Sequence, residues 1–344
     1  MILRNCWYVG AWEHELCSDK PIGRQIIGEP VVFYRKQDGS VSALEDRCLH
    51  RHAPLSLGRV EGDRLRCLYH GLMFDAAGRC VHVPGGLTPP DARIKAYPVH
   101  VQNSWIWIWM GAPEKADPAL IPLAFGLNDP QWLMRAGQMV YDASYLLIND
   151  NLCDLSHVDF VHETTLALAT GGGWSETFPR VRQLERGIRV ERWFTEKPAS
   201  PGNTRLVDTW STYDFLAPGV FVMTNKSYPH GQAQADRFNE PSAKPFTHRI
   251  EQQAVTPIDE RRTRYFFATG FEATNLPEKL IDGIFETVMS AFNEDRIMIE
   301  AQQRVWDLTP AGTAMAFLPQ DKGPAMMRRT LERLMRTEAA STSP

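Results

Sequence analysis

The sequence predicts an α+β chain in two parts: an all-β N-terminal domain over residues 1–115 and a second domain, 116–344, of antiparallel strands with long helices. Three observations predict this. Strand-length apolar runs and turn signals fill the first part, a Pro- and Asp-punctuated stretch follows it, and helical periodicity appears only later, beside a second block of short strands.

In the first part, the runs Pro30 to Arg35 and Ser40 to Leu44 flank Asp38-Gly39, a short-range hairpin signature. The run Trp105-Ile106-Trp107-Ile108-Trp109 is β-branched and aromatic throughout, which suits a strand buried on both faces. Ala112-Pro113, Asp117-Pro118 and Asp129-Pro130 then mark a connection, with the domain boundary near 115. A helical pattern follows over about 145–166 and ends in the loop Thr170-Gly171-Gly172-Gly173, too glycine-rich to favour one shape. Residues 178–272 return to short strand-like runs. A long helix opens after Asn275 with Pro277 near its first turn and runs to about Trp306. A last one begins near Pro324 and carries Met327, Leu331, Leu334 and Met335 as one apolar stripe.

Composition excludes several function classes. The formal charge is −4, and the only basic cluster, Arg328, Arg329, Arg333 and Arg336, reads as the solvated side of a helix, so no nucleic-acid partner is expected. Apolar runs are strand-length, so no membrane span is expected. The N-terminus lacks a secretory pattern, and six irregularly spaced cysteines do not form a disulfide framework; a cytoplasmic location is the expectation.

Two constellations carry chemistry. Cys48-Leu49-His50, then sixteen residues, then Cys67-Leu68-Tyr69-His70 supplies two thiolates and two imidazoles in paired short motifs. Two imidazoles can replace two thiolates on one iron of a [2Fe–2S] cluster, raising its potential. A tetrahedral Cys₂His₂ zinc site needs the same donors, but zinc frameworks usually pair Cys with Cys and His with His, whereas each motif here mixes them. Cys6, Cys17, Cys80 and Cys153 read as small buried hydrophobes, and His52 as a bystander to the metal that faces solvent or supports a ligand from behind.

The second constellation is Asp154, His157 and His162. Two imidazoles and a carboxylate leave open positions on Fe(II) for O₂. Residues five apart on a regular helix diverge by about 140°, so both rings reach one metal only if the helix distorts, and an irregularity is expected near Asp159 to Val161. The carboxylate is sought on the long C-terminal helix, where Asp295 interrupts the apolar stripe Ile281, Ile284, Val288, Phe292 and Ile299. A carboxylate there must be desolvated, which is costly unless it is paired or bound to a cation. Its rival Glu294 lies about 100° round the helix. A salt bridge from Asp295 to Arg296 or Arg304, or an exposed rim position, is the structural alternative.

Together, in this order, these segments resemble the oxygenase components of the Rieske non-haem iron aromatic-ring oxygenases, over essentially the whole chain. Arg4-Asn5-Cys6-Trp7-Tyr8-Val9, Trp105 to Met110, Asp150 to His162 and Phe292 to Glu300 carry the likeness beside the Cys/His motifs. It is greatest to the short branch containing vanillate O-demethylase, toluenesulfonate methyl-monooxygenase and dicamba O-demethylase. The resemblance implies that Cys48, His50, Cys67 and His70 hold a Rieske [2Fe–2S] cluster, and that His157, His162 and Asp295 hold mononuclear Fe(II). It places Asp154 in catalysis, bridging an iron-ligand histidine to a cluster-ligand histidine of a neighbouring subunit. It further implies a helix-grip (START-like) sheet in the catalytic domain, a head-to-tail homotrimer, and electrons from NAD(P)H through a separate flavin and iron–sulfur reductase. No G-x-G-x-x-G loop occurs in this chain, in keeping with that division.

The expected function is hydroxylation or O-demethylation of an aromatic acid by O₂: an O-methyl group would leave as formaldehyde, and an aryl methyl would become a benzyl alcohol. Tyr213, Asn225, His248 and Gln253 are candidate binders of the carboxylate or sulfonate. The alternative is a Rieske electron-transfer protein with a ligand-binding domain and no second iron.

Overall fold

The computed structural model describes residues 2–199, 203–273 and 277–340. The chain forms two compact units: one runs to Gly126 and includes Thr256–Arg261, the other comprises Leu127–Val255 and the chain from Arg262.

The first unit carries β1 (Trp7–Trp12), β2 (Ile22–Ile26), β3 (Glu29–Arg35), β4 (Val41–Glu45), β5 (Arg59–Glu61), β6 (Arg64–Arg66), β7 (Met73–Phe74), β8 (Cys80–His82), β9 (Ala96–Tyr97), β10 (Val99–Gln102) and β11 (Trp105–Trp109). They form three antiparallel sheets, ordered β1-β11-β10, β2-β3-β4-β9 and β5-β6-β7-β8. The hairpin expected at Asp38-Gly39 joins β3 to β4 with Arg35 opposite Val41, and Gly39 takes the left-handed turn position at φ 83°. All of β11 is buried between β1 and β10, as its unbroken apolar sequence requires.

The second unit is built on β12 (Trp132–Tyr141), β13 (Arg180–Leu184), β14 (Gly187–Pro198), β15 (Leu206–Leu216), β16 (Val220–Pro229), β17 (Thr247–Pro257) and β18 (Thr263–Glu272), in the order β12-β18-β17-β16-β15-β14-β13. Its helices are α1 (Tyr145–Cys153), α2 (Val158–Val161), α3 (Leu166–Thr170), α4 (Gln232–Ala235), α5 (Glu278–Leu308) and α6 (Lys322–Ala340). The expected opening of α5 after Asn275 falls on residues outside those described, and its first described turn follows Pro277. The apolar stripe of α5 lies on β12 and β18, with Phe292 edge-on to Tyr265 at 5.3 Å and to Phe267 at 4.8 Å. On α6, Met327 and Leu331 are fully buried, and Arg328 pairs with Asp150 of α1. No helix among the described residues is long and apolar enough to cross a membrane.

The stretch expected as one helix over 145–166 is broken. Asp154 is extended (φ −130°, ψ 99°) and ends α1, its carboxylate accepts from Ser156 N at 2.9 Å, and a 3₁₀ turn over Leu155–His157 precedes α2. The irregularity therefore starts five residues earlier than Asp159, because Asp154 makes a better N-cap than a helix-interior residue. The glycine loop holds a definite shape: Gly171, Gly172 and Gly173 all have positive φ, and Gly171 closes α3.

Candidate metal centres

Cys48 and Cys67 open two loops with the same hydrogen-bond pattern. The amide of Cys48 donates to Ala53 O at 2.9 Å and its carbonyl accepts from His52 N at 2.9 Å; the amide of Cys67 donates to Leu72 O at 2.8 Å and its carbonyl accepts from Gly71 N at 3.0 Å. His52 and Gly71 thus hold equivalent places, and both have positive φ, 55° and 79°. A glycine is free there, whereas the histidine bears a steric cost. The bystander reading of His52 had no access to this: it is the hinge of the first loop. A Cβ on Gly71 would also meet Pro84 at 2.7 Å, and Arg66, held by both oxygens of Glu61 at 2.7 Å, donates to Gly71 O at 2.8 Å.

The loops bring the four donors together in two tiers. Cys48 and Cys67 lie in the core with Leu55, Leu65, Leu72 and Phe74, whereas His50 and His70 are exposed, with ring centroids 4.5 Å apart. Burial pushes the Cys48 thiol up to about 11, against amide donation from His50 and Arg51. Two adjacent buried sulfurs, with amide donors aimed at one of them, fit a polynuclear cation that takes thiolates inside and imidazoles outside. Of the other cysteines, Cys6, Cys80 and Cys153 are buried as expected; Cys17 is exposed, so the small-hydrophobe reading fails there.

The second centre lies where the helix breaks. His157 ends the 3₁₀ turn, His162 closes α2 and Asp295 faces them from α5; one donor atom from each falls within 4.8 Å of the others. Asp295 Oδ1 is 3.3 Å from His162 Nε2 and 3.5 Å from His157 Nε2. The remote nitrogens fix the tautomers. His157 Nδ1 is 2.6 Å from the carbonyl of Asp154, and His162 Nδ1 is 2.8 Å from Glu294 Oε2. A carbonyl and a carboxylate only accept, so both Nδ1 atoms carry the proton and both Nε2 lone pairs face Asp295. Burial alone would depress His162, but Asp295 and Glu294 outweigh it and raise its pKa. Asn151 donates to Asp295 Oδ1 at 3.0 Å and lies 3.3 Å from His157 Nε2. Asp295 is only 5% exposed and is met by an amide and two imidazoles, with no arginine or lysine among the described residues in an ion pair with it, so a buried carboxylate in this setting fits a cation. Two imidazoles and one carboxylate suit Fe(II) with open positions.

The structure corrects three expectations. Within the chain the main-chain carbonyl of Asp154, and not its carboxylate, holds His157, while carboxylate Oδ1 caps the turn. Arg296 turns to Asn293, so it forms no salt bridge with Asp295. Tyr213 is committed to Cys153 O at 3.0 Å, so it is not available as an anion binder; His248 lies edge-on to Trp132 at 4.9 Å. Asn151 and Glu294 are the site residues that sequence reasoning missed in these roles. Glu294 was weighed as a ligand, and one turn of helical geometry could have placed it behind one. Truncating Glu294 to Ala is expected to weaken Fe(II) binding about 10- to 100-fold, with Glu294→Gln intermediate, because the ring loses its anchor. Iron titration at limiting Fe(II) checks this; unchanged affinity in E294A would show that packing suffices to hold the ring.

Comparison with known proteins bears on both centres. Residues 6–98 match the Rieske [2Fe-2S] domain and residues 141–337 the vanillate O-demethylase oxygenase C-terminal domain. The chain is 37% identical to the toluene-4-sulfonate monooxygenase system iron–sulfur subunit of Comamonas testosteroni over 100% of both chains. It is 31% identical to the dicamba O-demethylase oxygenase component of Stenotrophomonas maltophilia, covering 98% of this chain and 99% of the other. The crystal structure of dicamba monooxygenase with non-heme iron and dicamba superposes with a TM-score of 0.78 at 30% identity, covering 98% of each chain.

Proposed function

Because the chain belongs to the Rieske non-haem iron aromatic-ring oxygenases, as an oxygenase component with a [2Fe–2S] cluster and a non-haem iron, we propose that it oxidises a methyl or O-methyl group of an aromatic carboxylic or sulfonic acid. Cys48, His50, Cys67 and His70 would hold the cluster, and His157, His162 and Asp295 the iron. The observation that carries the reading is the convergence of His157, His162 and Asp295 with both Nε2 lone pairs turned inward. An electron carrier without a second iron would have no use for two histidines oriented in this way.

The two metals together supply O₂ activation and two electrons; for an aryl methyl ether the balance is ArOCH₃ + O₂ + 2e⁻ + 2H⁺ → ArOH + HCHO + H₂O. The protein's part is positional. Asp154 O and Glu294 keep both imidazoles in the donor tautomer, and Asn151 steadies the Asp295 carboxylate by donating to Oδ1. Asp154 also stands at the junction of α1 and the 3₁₀ turn, where we place it on the electron route from a neighbouring subunit's cluster in a homotrimer. NAD(P)H electrons would arrive through a separate flavin and iron–sulfur reductase, in the cytoplasm.

The test is metal analysis and turnover of the anaerobically purified chain. The expected result is about three iron and two sulfide per chain, a Rieske-type electron paramagnetic resonance signal after dithionite, and one formaldehyde or benzylic alcohol per two electrons supplied. Iron that stays at about two after Fe(II) reconstitution would leave the electron carrier instead.

A further inference from the structure

One row of side chains crosses four strands of the second unit. Arg192 of β14 is paired with Ser211 of β15, Ser211 with Asn225 of β16, and Asn225 with Arg249 of β17. Directly opposed residues project to the same side of a sheet, so the four share one face. Both ends fix which face it is. Tyr213, two residues from Ser211, donates to Cys153 O at the end of α1. At the other end the Arg249 guanidinium lies 5.7 Å over Phe271, which shares its face with Phe267, and Phe267 packs on Phe292 of α5. The row therefore faces the elements that carry His157 and Asp295.

This face holds polar atoms that make no hydrogen bond among the described residues: Arg192 Nε, Ser211 Oγ, Arg249 Nε and Nη2, Gln253 Oε1 and Thr269 Oγ1. Ser211, Gln253 and Thr269 are at most 2% exposed. Burying such groups without partners is costly, so a cluster of them on an enzyme's inner face marks where a polar ligand group docks. The two arginines differ. Arg192 is stacked on Trp174 at 5.2 Å, donates to Trp174 O at 3.4 Å and has Asp154 and Asp159 as nearby negative charges. Arg249 has one carboxylate beside it, Glu251, 2.5 Å from Nη2 but outside hydrogen-bonding geometry. Beside that ion pair its Nε makes no hydrogen bond among the described residues and can still donate.

We propose that Arg249, assisted by Asn225 and Ser211, anchors the carboxylate or sulfonate of the substrate and so determines specificity for aromatic acids; this rests on the oxygenase reading above. A guanidinium fork matches both oxyanions, and an amide and a hydroxyl on the neighbouring strands supply further donors. Arg249 is a specificity residue, not a group that reacts.

The test is calorimetric binding of 4-methoxybenzoate, 4-toluenesulfonate and the neutral 4-methoxybenzamide to the holoenzyme under anaerobic conditions. R249M is expected to weaken both anions about tenfold or more and the amide less than about threefold. R249K and N225A, smaller changes that spare the fold, are expected to shift selectivity in the same direction by less. Anion affinity unchanged in R249M, R249K and N225A, or an equal loss of anion and amide in variants with a native cluster spectrum, overturns the anchor. Wild-type holoenzyme that binds the amide as tightly as the acids overturns the aromatic-acid reading itself.

Discussion

Replacing Asp295 by alanine is expected to reduce turnover below about a thousandth of wild type while the [2Fe–2S] signal stays intact. Both imidazoles turn Nε2 to the site, so Asp295 would be the one anionic ligand, and without it a divalent cation would face only imidazole nitrogens. The loss should be chemical and not structural. α5 is fixed by Ile281, Val288, Phe292 and Ile299, all buried on the same stripe, and none of them touches the change in charge. Removing a buried carboxylate from a metal-free site relieves a desolvation cost but strips the Asn151 amide of its acceptor, so apo D295A should melt within about 5 °C of apo wild type. Iron per chain, the reduced-state spectrum and a melting curve check the three statements together. A D295A protein that kept its third iron would remove Asp295 from the ligand set.

This variant also separates what the sequence made legible from what it did not. Asp295 was readable because a carboxylate interrupted an apolar stripe of 3.6 periodicity, a local conflict that needs only one helix to be seen. The Cys/His motifs were readable for a similar reason, since the donors lie close in sequence and few structures use that mixture. The histidine spacing foretold a distorted helix, and the helix is distorted, but its position was misjudged because Asp154 was read as a partner for a ring and not as a cap.

What stayed hidden depends on register. Asn225 and His248 looked equivalent as polar strand residues, yet the pairing of β16 with β17 puts Arg249 opposite Asn225 and turns His248 to the other face against Trp132. A one-residue difference in register reverses every such assignment, and no local propensity sets it. Asn151 shows the same limit in a helix: its role exists only because α5 brings Asp295 within 3.0 Å from 144 residues away.

In the first unit, the change with the largest expected effect is Cys67→Ser. It should bleach the protein, remove about two iron and the sulfide, and lower the melting temperature of that unit by at least about 5 °C. Cys67 is 1% exposed among Leu55, Leu65, Leu72 and Phe74, so the serine hydroxyl would be buried without the cation that the thiolate meets, at a cost of about 1–3 kcal/mol. A cluster held by these residues would also join the loops of residues 48–53 and 67–72, each closed by its own pair of main-chain hydrogen bonds, and losing it would unlink them. Cys80→Ser supplies the control. Cys80 lies in the same core, 6% exposed, but its sulfur points to His82 O at 3.7 Å, so this variant should lose a comparable share of packing and keep its colour. Visible absorption and sulfide content of the pair decide the matter: if C80S bleached and C67S did not, the ligand assignment would have to be redrawn. The mononuclear iron should persist in C67S, because none of its ligands lies in that unit, so the protein would bind one iron and still fail to turn over with reductase.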